Sequence, residues 1–466
     1  MRDEGEFFFG DEETLDAVKK FEDSIRKKKG LFLDVTEFES VIDYYLNSDD
    51  SRRASEAIDI ARRIHPNSSE IQLRKAELLL MENKHSEALA ILNTINSIDP
   101  LNGDIHLAKG QAFLELKMFA EAEDSFQRAI ELATDEKSYM YFRIAGLYLS
   151  ADDYSAAAKY LSQSEILNPD NLGVLFDLAF CYDQLDEFAQ SENYYNKYLD
   201  INPFSSSVWF NLGILLTRKD EFEKAIEAYD FAIAIDPSNS SAYFNKANTL
   251  ATIEGYSAAV NCFQEFLKLE PENPQIYCSI GECYEKMKEF DKALKSYRKS
   301  IALNPAMADA YYGIGVVMIE TKQYNLALDM IAKAKALDPE NYDYWLGYAK
   351  VKYEMKYVEE ALDAYKEAIT LYNDEPDAYL GVAEILLYQN RLDEVETFCS
   401  SVVLKFPDVP MFKVIRAAAQ YKTGNIDLAV STLRNAKVLD PLSVDDFISL
   451  VSLNNESEFL KRVNFL

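Results

Sequence analysis

The sequence predicts an all-α chain, a solenoid of tandem helix–turn–helix units closed by helical caps, and three observations carry that reading. A 34-residue period runs through most of the 466 residues. The composition is rich in Leu, Ala, Glu and Lys and holds only 15 Gly and 13 Pro, which favours helix throughout. Within each period, apolar residues fall at i, i+3, i+4 and i+7, the stripe of an amphipathic helix.

The period is marked first by proline. Pro66, Pro100, Pro169, Pro203, Pro237, Pro271, Pro305, Pro339, Pro407 and Pro441 are spaced by that period or by its double, with a single insertion near 134–137. Asn373 keeps the proline phase between Pro339 and Pro407. Small residues keep the same phase. Gly or Ala recurs at a fixed offset ahead of the proline position, as at Gly110, Ala145, Ala179, Gly213, Gly281 and Gly315, with Ile42 the exception. Ala recurs at a second, shorter offset, as at Ala122, Ala225 and Ala293, with Ser191 and Val395 departing.

The unit 206–239 shows the physics of this spacing. Its first helix carries Trp209, Leu212, Leu215 and Leu216, and its second carries Ala225, Ile226, Tyr229 and Ile233. Gly213 and Ala225 let the paired backbones approach, and the large side chains fill the remaining space. Asp236-Pro237 stops the second helix, because the residue before a proline is pushed out of the α region. Residues 238–240 supply the turn and the N-cap of the next helix.

The segment WFNLGILLTRKDEFEKAIEAYDFAIAIDP (209–237) resembles the tetratricopeptide repeat consensus, and in-phase matches cover about 409 of 466 residues. The resemblance implies twelve helix–turn–helix units stacked into a right-handed superhelix, with first helices lining a concave groove that binds protein. The expected organisation is an N-terminal segment and capping helix (1–34), twelve repeats (35–443) and a C-terminal cap (444–466). In the first cap, residues 11–29 place Leu15, Val18, Phe21 and Ile25 on one face, and the basic run 26–29 complements the helix C-terminus before Gly30. In the second, 445–462 carries Phe447, Leu450, Val451, Phe459 and Leu460 as a closing helix or helix pair.

A net charge of −31 repels phosphate backbones and anionic headgroups, so neither nucleic acid nor a membrane surface is an expected partner. The charge serves either solubility or the steering of basic partners. Five cysteines without CxxC spacing read as buried thiols of a reducing compartment, and His65, His85 and His106 are too scattered for a metal site. Residues 1–10 lack the basic start and long apolar stretch of a signal peptide, and no window approaches 18 continuous apolar residues. The expected location is cytoplasmic.

Catalytic signatures are missing from the sequence. Outside the repeats stand only the segments 1–34 and 444–466, each too short for a catalytic domain. There is no GxxxxGK[ST] loop, HExxH or GxSxG. Gly313-Ile314-Gly315 lies inside a predicted helix and reads as helix packing, while Asp49-Asp50 and Asp152-Asp153 read as turn and cap residues. The expectation is a non-catalytic protein with no cofactor and no metal.

The groove positions implied by the resemblance carry the site reading. A carboxylate clamp of the chaperone-binding type is disfavoured: its first basic position holds Phe142, Phe176, Phe210 or Phe244, and its closing pair falls on residues such as Gln275 and Ser279, or Asp309 and Gly313. The same phenylalanines form a row over four consecutive repeats, continued by Cys278 and Tyr312. One residue on stand Arg143, Asp177, Asn211 and Asn245, with Asn248 a turn further. Asn at that position resembles the ladder with which some grooves of this family hold a peptide backbone, since a carboxamide both donates and accepts. The alternative is that the Phe row is inter-repeat packing and the asparagines are surface polar groups. Acidic residues flank this centre, with Glu70, Glu77 and Asp104 on one side and Glu282, Asp309, Asp343, Asp377 and Glu384 on the other. An extended protein or peptide with an apolar middle and basic flanks matches this surface. Residues 4–10 (EGEFFFG) either pack on the first cap helix or dock elsewhere, in cis or in trans. The expected function is a protein-interaction scaffold; the alternatives are a self-associating solenoid or a regulatory subunit of an enzyme complex.

Overall fold

The computed structural model describes residues 12–27, 33–48, 50–452 and 458–464. The run of phenylalanines at 7–9, the basic residues 28 and 29, and Asp49 lie outside them. Helices follow one another in pairs, from α2 (Val35–Asn47) and α3 (Ser51–Ile64) to α24 (Pro410–Lys422) and α25 (Ile426–Leu439), and among the described residues there is no strand. The chain forms two compact units, Met1–Thr249 and Leu250–Leu466, each a stack of helical hairpins.

Within a hairpin the predicted small residues do what their phase implies. In α12 (Ser206–Arg218), a Cβ on Gly213 would stand 2.5 Å from the Tyr229 ring of α13 (Phe222–Ile235). Gly110 meets Phe126 in the same way at 2.3 Å, and Gly281 meets Tyr297 at 2.6 Å. Gly313 faces the hydroxyl end of the same Tyr297 ring, and Gly315 faces Ile331. This glycine pair is therefore packing against large buried side chains, as the sequence suggested.

The turn inside each hairpin has a form that residue identity does not announce. Asp220 takes φ 58° while the Asp220 and Glu221 N–H groups donate to the carbonyls of Thr217 and Leu216, the Schellman pattern that satisfies the last carbonyls of a helix. The same left-handed position recurs at Asn83, Lys117, Asp152, Asp186, Glu254, Lys288, Lys322, Lys356 and Asn390, and among the described residues only the last hairpin fills it with glycine, Gly424 at φ 84°.

Between hairpins the Asp-Pro signal behaves as expected. Asp236 is extended at φ −127°, ψ 92° and ends α13. Its carboxylate accepts from the Ser238 N–H at 2.9 Å, and Asn239, within the predicted 238–240 segment, accepts from the Ala242 N–H at 3.0 Å. Asp153 caps α9 (Tyr154–Leu167) through the Ala156 N–H, so the Asp152-Asp153 pair is turn and cap.

Helices form at both ends, and one residue departs from the predicted apolar face. In α1 (Glu12–Lys27), Ala17, Val18 and Phe21 are buried but Leu15 is 42% exposed, because a helix resting on one neighbour buries a narrower stripe than the periodicity allows. At the other end, α26 (Ser443–Val451) and α27 (Glu458–Asn464) are a helix pair. Their Phe447 and Phe459 stack at 5.1 Å, and Tyr421 meets both edge-on. Four cysteines are buried, but Cys262 is half-buried, at a position where α15 (Tyr256–Leu269) turns away from its core of Ala259, Val260, Phe263 and Phe266.

Candidate protein-binding groove

In the first unit, side chains of neighbouring first helices meet one another, Arg74 with Asp43, Arg143 with Asp104 and Phe142 beside Gly173. The face begins in charge. Arg74 of α4 (Ser69–Met81) donates to Asp43 of α2 at 3.0 Å and to Glu77 at 2.8 Å, with Glu39 at 4.0 Å. Burial pushes the carboxyls of Glu39, Asp43 and Glu77 up, and Arg74 pulls each part of the way back. The Arg74 Nε is enclosed without a hydrogen-bonding partner although it stands 3.0 Å from an Asp43 oxygen. The distance makes an ion pair; the angle is wrong for a hydrogen bond.

Next along the face, Arg143 of α8 (Lys137–Ser150) pairs with Asp104 of α6 (Gly103–Glu115) and lies over the Tyr139 ring at 5.7 Å. Arg143 is thus committed to the chain's own carboxylate. The centre is aromatic. Phe142 projects so that a Cβ on Gly173 of α10 (Leu172–Gln184) would meet its ring at 3.3 Å. Phe176 packs 6.3 Å from Tyr195 and 6.4 Å from Tyr198, and Phe210 lies 6.1 Å from Tyr229. All three, with Phe244 of α14 (Ser240–Thr252), are half-buried. The row is both inter-helix packing and a partly open floor. Gly146 has open space where a side chain would be, and Phe180, one turn beyond Phe176, is 37% exposed.

The asparagines stand beside this floor. Asn211 and Asn245 are half-buried, and among the described residues their carboxamides make no hydrogen bond; the Asn245 carbonyl accepts from Thr249. Asn248 is half-buried on the same helix, and Asp177 adds to the burial that pushes the Cys181 thiol up to about 12. Two features escaped the sequence reading. Phe180 lies on the face through i+4 spacing from Phe176, a signal the sequence did offer. Arg218 bridges Asp183 at 2.6 Å and Asp186 at 2.5 Å, 35 and 32 residues earlier at the end of α10 and in the turn after it, a pairing with no local sequence signature.

The second unit holds the remaining candidate, Tyr312 of α18 (Ala308–Glu320). Its ring packs 5.1 Å from Tyr344 and would be met at 2.7 Å by a Cβ on Gly347. Cys278, which continues the Phe row in sequence, is fully buried. Carboxylates surround it. The Tyr297 hydroxyl donates to Glu285 at 2.8 Å, Tyr344 donates to Asp309 at 2.5 Å, and the Cys278 thiol lies 3.7 Å from Glu282. Burial, then Asp309, pushes the Glu282 carboxyl up; burial does the same to Glu285 and Glu384, the latter eased by Lys350. Among the described residues no group of three or more His, Cys, Asp or Glu side chains converges as metal ligands, and no helix is long and apolar enough to cross a membrane.

Models of the tetratricopeptide repeat match residues 42–100, 103–136, 148–212, 206–239, 240–273, 274–307 and 353–418. No curated protein sequence matches. Solved structures with similar folds include yeast Tom70 (15% identical, covering 86% of this chain and all of that one, TM-score 0.45). Another is the C-terminal part of a TPR repeat-containing protein from Cytophaga hutchinsonii (18%, 52% of this chain and 99% of that one, TM-score 0.44). A third is YrrB, described as a TPR protein with an unusual peptide-binding site (24%, 40% of this chain and 95% of that one, TM-score 0.32). With repeat models matching well over half of the chain and helical hairpins following one another among the described residues, the chain belongs to the tetratricopeptide repeat family.

Proposed function

We propose that the first-helix face of the Met1–Thr249 unit holds an extended segment of a protein partner, and that the molecule is a scaffold in a fold that is typically non-catalytic. The observation that carries this is the pair of half-buried carboxamides, Asn211 and Asn245, at equivalent positions of neighbouring repeats with no hydrogen bond among the described residues. A carboxamide can take both the N–H and the C=O of one peptide unit, and the adjoining Phe176, Phe180 and Phe210 offer apolar contact for side chains. Around Arg74 the carboxylates of Glu39, Asp43 and Glu77 outnumber their cation, so basic residues at one end of the segment fit. A cytoplasmic location suits Cys181, Cys278, Cys283 and Cys399, which are buried and unbridged.

Random peptides displayed on phage and selected on the full chain test this. Selected peptides are expected to carry apolar residues followed by Lys or Arg, and to bind the Asn211→Ala, Asn245→Ala double variant about 10- to 100-fold more weakly, the loss of two or three hydrogen bonds. Equal binding to both proteins rejects the assignment. A second reading, self-association, is favoured by Leu404 and Val438, which are 84% and 85% exposed at equivalent places in neighbouring second helices of the other unit. A molecular mass that stays monomeric over a hundredfold concentration range excludes it.

A further inference from the structure

The first-helix face of the Met1–Thr249 unit contains an unfilled place. Counted by the period, Asp43, Glu77, Gln111, Gly146 and Phe180 hold the same position in five consecutive repeats. Gly146 therefore stands where its neighbours carry a side chain. Beyond the first turn, the other glycines of first helices among the described residues make room for a neighbour. A Cβ would stand 2.3 Å from the Phe126 ring at Gly110, 2.5 Å from Tyr229 at Gly213 and 2.7 Å from Tyr312 at Gly347. A Cβ on Gly146 would meet nothing within 4 Å. Glycine is a poor helix former, and packing within the chain gives no reason for one in the middle of α8.

The empty place has apolar walls. Phe142, one turn before Gly146, puts its ring against Gly173 of α10. Phe180 of α10 is 37% exposed and leans toward Tyr154 at the start of α9, with 5.9 Å between ring centroids. Gly146 lies between these two aromatic contacts, and the half-buried Phe176 and Asp177 adjoin them on α10. Such a recess fits a bulky apolar side chain and disfavours an acidic one. Charge then sets the register. Toward α2, Glu39, Asp43 and Glu77 share the single guanidinium of Arg74, whereas Arg143, beside the recess, is already held by Asp104. A Lys or Arg of the partner is drawn to the Arg74 end. Glu77 and Gly146 are two repeats apart, roughly 16–20 Å for packed helices, which about five or six extended residues span.

We propose, building on the groove reading above, that the recess at Gly146 takes a bulky apolar side chain of the partner segment, and that the segment carries Lys or Arg about five or six residues away. Asn211 and Asn245 hold backbone of any sequence; the space over Gly146 selects a side chain.

The test selects displayed random peptides on the full chain and measures them on its Gly146→Leu variant, which fills the recess from the chain's own side. Thermal melts should show the variant at least as stable as the wild type. Selected peptides should share an aromatic or branched apolar residue at the stated distance from Lys or Arg, and bind the variant about tenfold or more weakly. Replacing that apolar residue by Ala should weaken binding to the wild type by a similar factor and leave binding to the variant unchanged, the coupling expected of two groups that compete for one space. A benzophenone in its place should cross-link to the wild type within Lys137–Ser150 or Leu172–Gln184. Peptides that weaken on the Asn211→Ala, Asn245→Ala variant but bind Gly146→Leu as tightly as the wild type overturn the recess and spare the groove. Peptides indifferent to both variants overturn both readings. Cross-links confined to other helices, or an equal loss from the Ala replacement in both proteins, overturn the recess.

Discussion

At the scale of single residues, the same amino acid does opposite things at two places in the repeats. Gly213 leaves room that the Tyr229 ring fills, so a Cβ there would stand at 2.5 Å. Gly213→Ala gains about 1 kcal/mol of helix propensity and loses more to overpacking, about 1–3 kcal/mol; urea unfolding should show net destabilisation. Gly146 has open space around the missing side chain, so Gly146→Ala should stabilise by up to about 1 kcal/mol. Equal effects at both positions contradict the packing account. Glu282 supplies a pH signature. Burial and Asp309 hold its carboxyl above the usual range, against a weaker opposing pull from the Cys278 thiol and Lys286. The folded state therefore keeps this proton to higher pH than the unfolded chain, and the group costs stability once pH rises through its folded pKa. Glu282→Gln should raise the melting temperature at pH 7, with the difference shrinking as pH falls toward about 4, near the unfolded carboxylate pKa. A variant less stable at pH 7 contradicts this. These residues also mark how far the sequence could be read. Gly213 and Tyr229 were legible because their phase repeats. Arg143 was read as a groove cation, yet it is held by Asp104; the two are 39 residues apart, across the inserted residue, and nothing local announces the pair.

At the scale of elements, the hairpin turn shows why boundaries were legible and turn conformation was not. Helix ends followed from Asp-Pro, Asn and Ser chemistry, which acts through side chains. The left-handed turn residue is fixed by backbone bonds, such as Glu221 N–H to the Leu216 carbonyl, so Asn, Asp, Glu and Lys all occupy it. An L-residue there costs about 1–2 kcal/mol, while glycine costs about 0.5–1 kcal/mol through the unfolded chain. Lys322→Gly should thus stabilise by about 0.5–1 kcal/mol, and Gly424→Ala should destabilise by about 1 kcal/mol. Thermal or urea melts of the two variants read both signs; a destabilised Lys322→Gly rejects this view of the turn. Leu15 belongs to the same lesson. Its place on the apolar stripe was correct, but its exposure depends on how many neighbours α1 has, which periodicity does not encode.

At the scale of the molecule, each hairpin rests chiefly on its neighbours, as expected of a repeat protein. The architecture was therefore readable from one period repeated, whereas the candidate groove needed the structure. The Phe row was visible in phase, but only the packing divides it into buried Cys278, interlocked Tyr312 and the half-open Phe176 and Phe210. The central claim is that a partner segment lies across α8, α10, α12 and α14 beside Asn211 and Asn245. Amide hydrogen exchange of the full chain, with and without a saturating selected peptide, tests it most directly. Protection concentrated in Lys137–Ser150, Leu172–Gln184, Ser206–Arg218 and Ser240–Thr252 is the predicted result. Protection confined to the second helices or to the rest of the other unit, with these four helices unchanged, would contradict it.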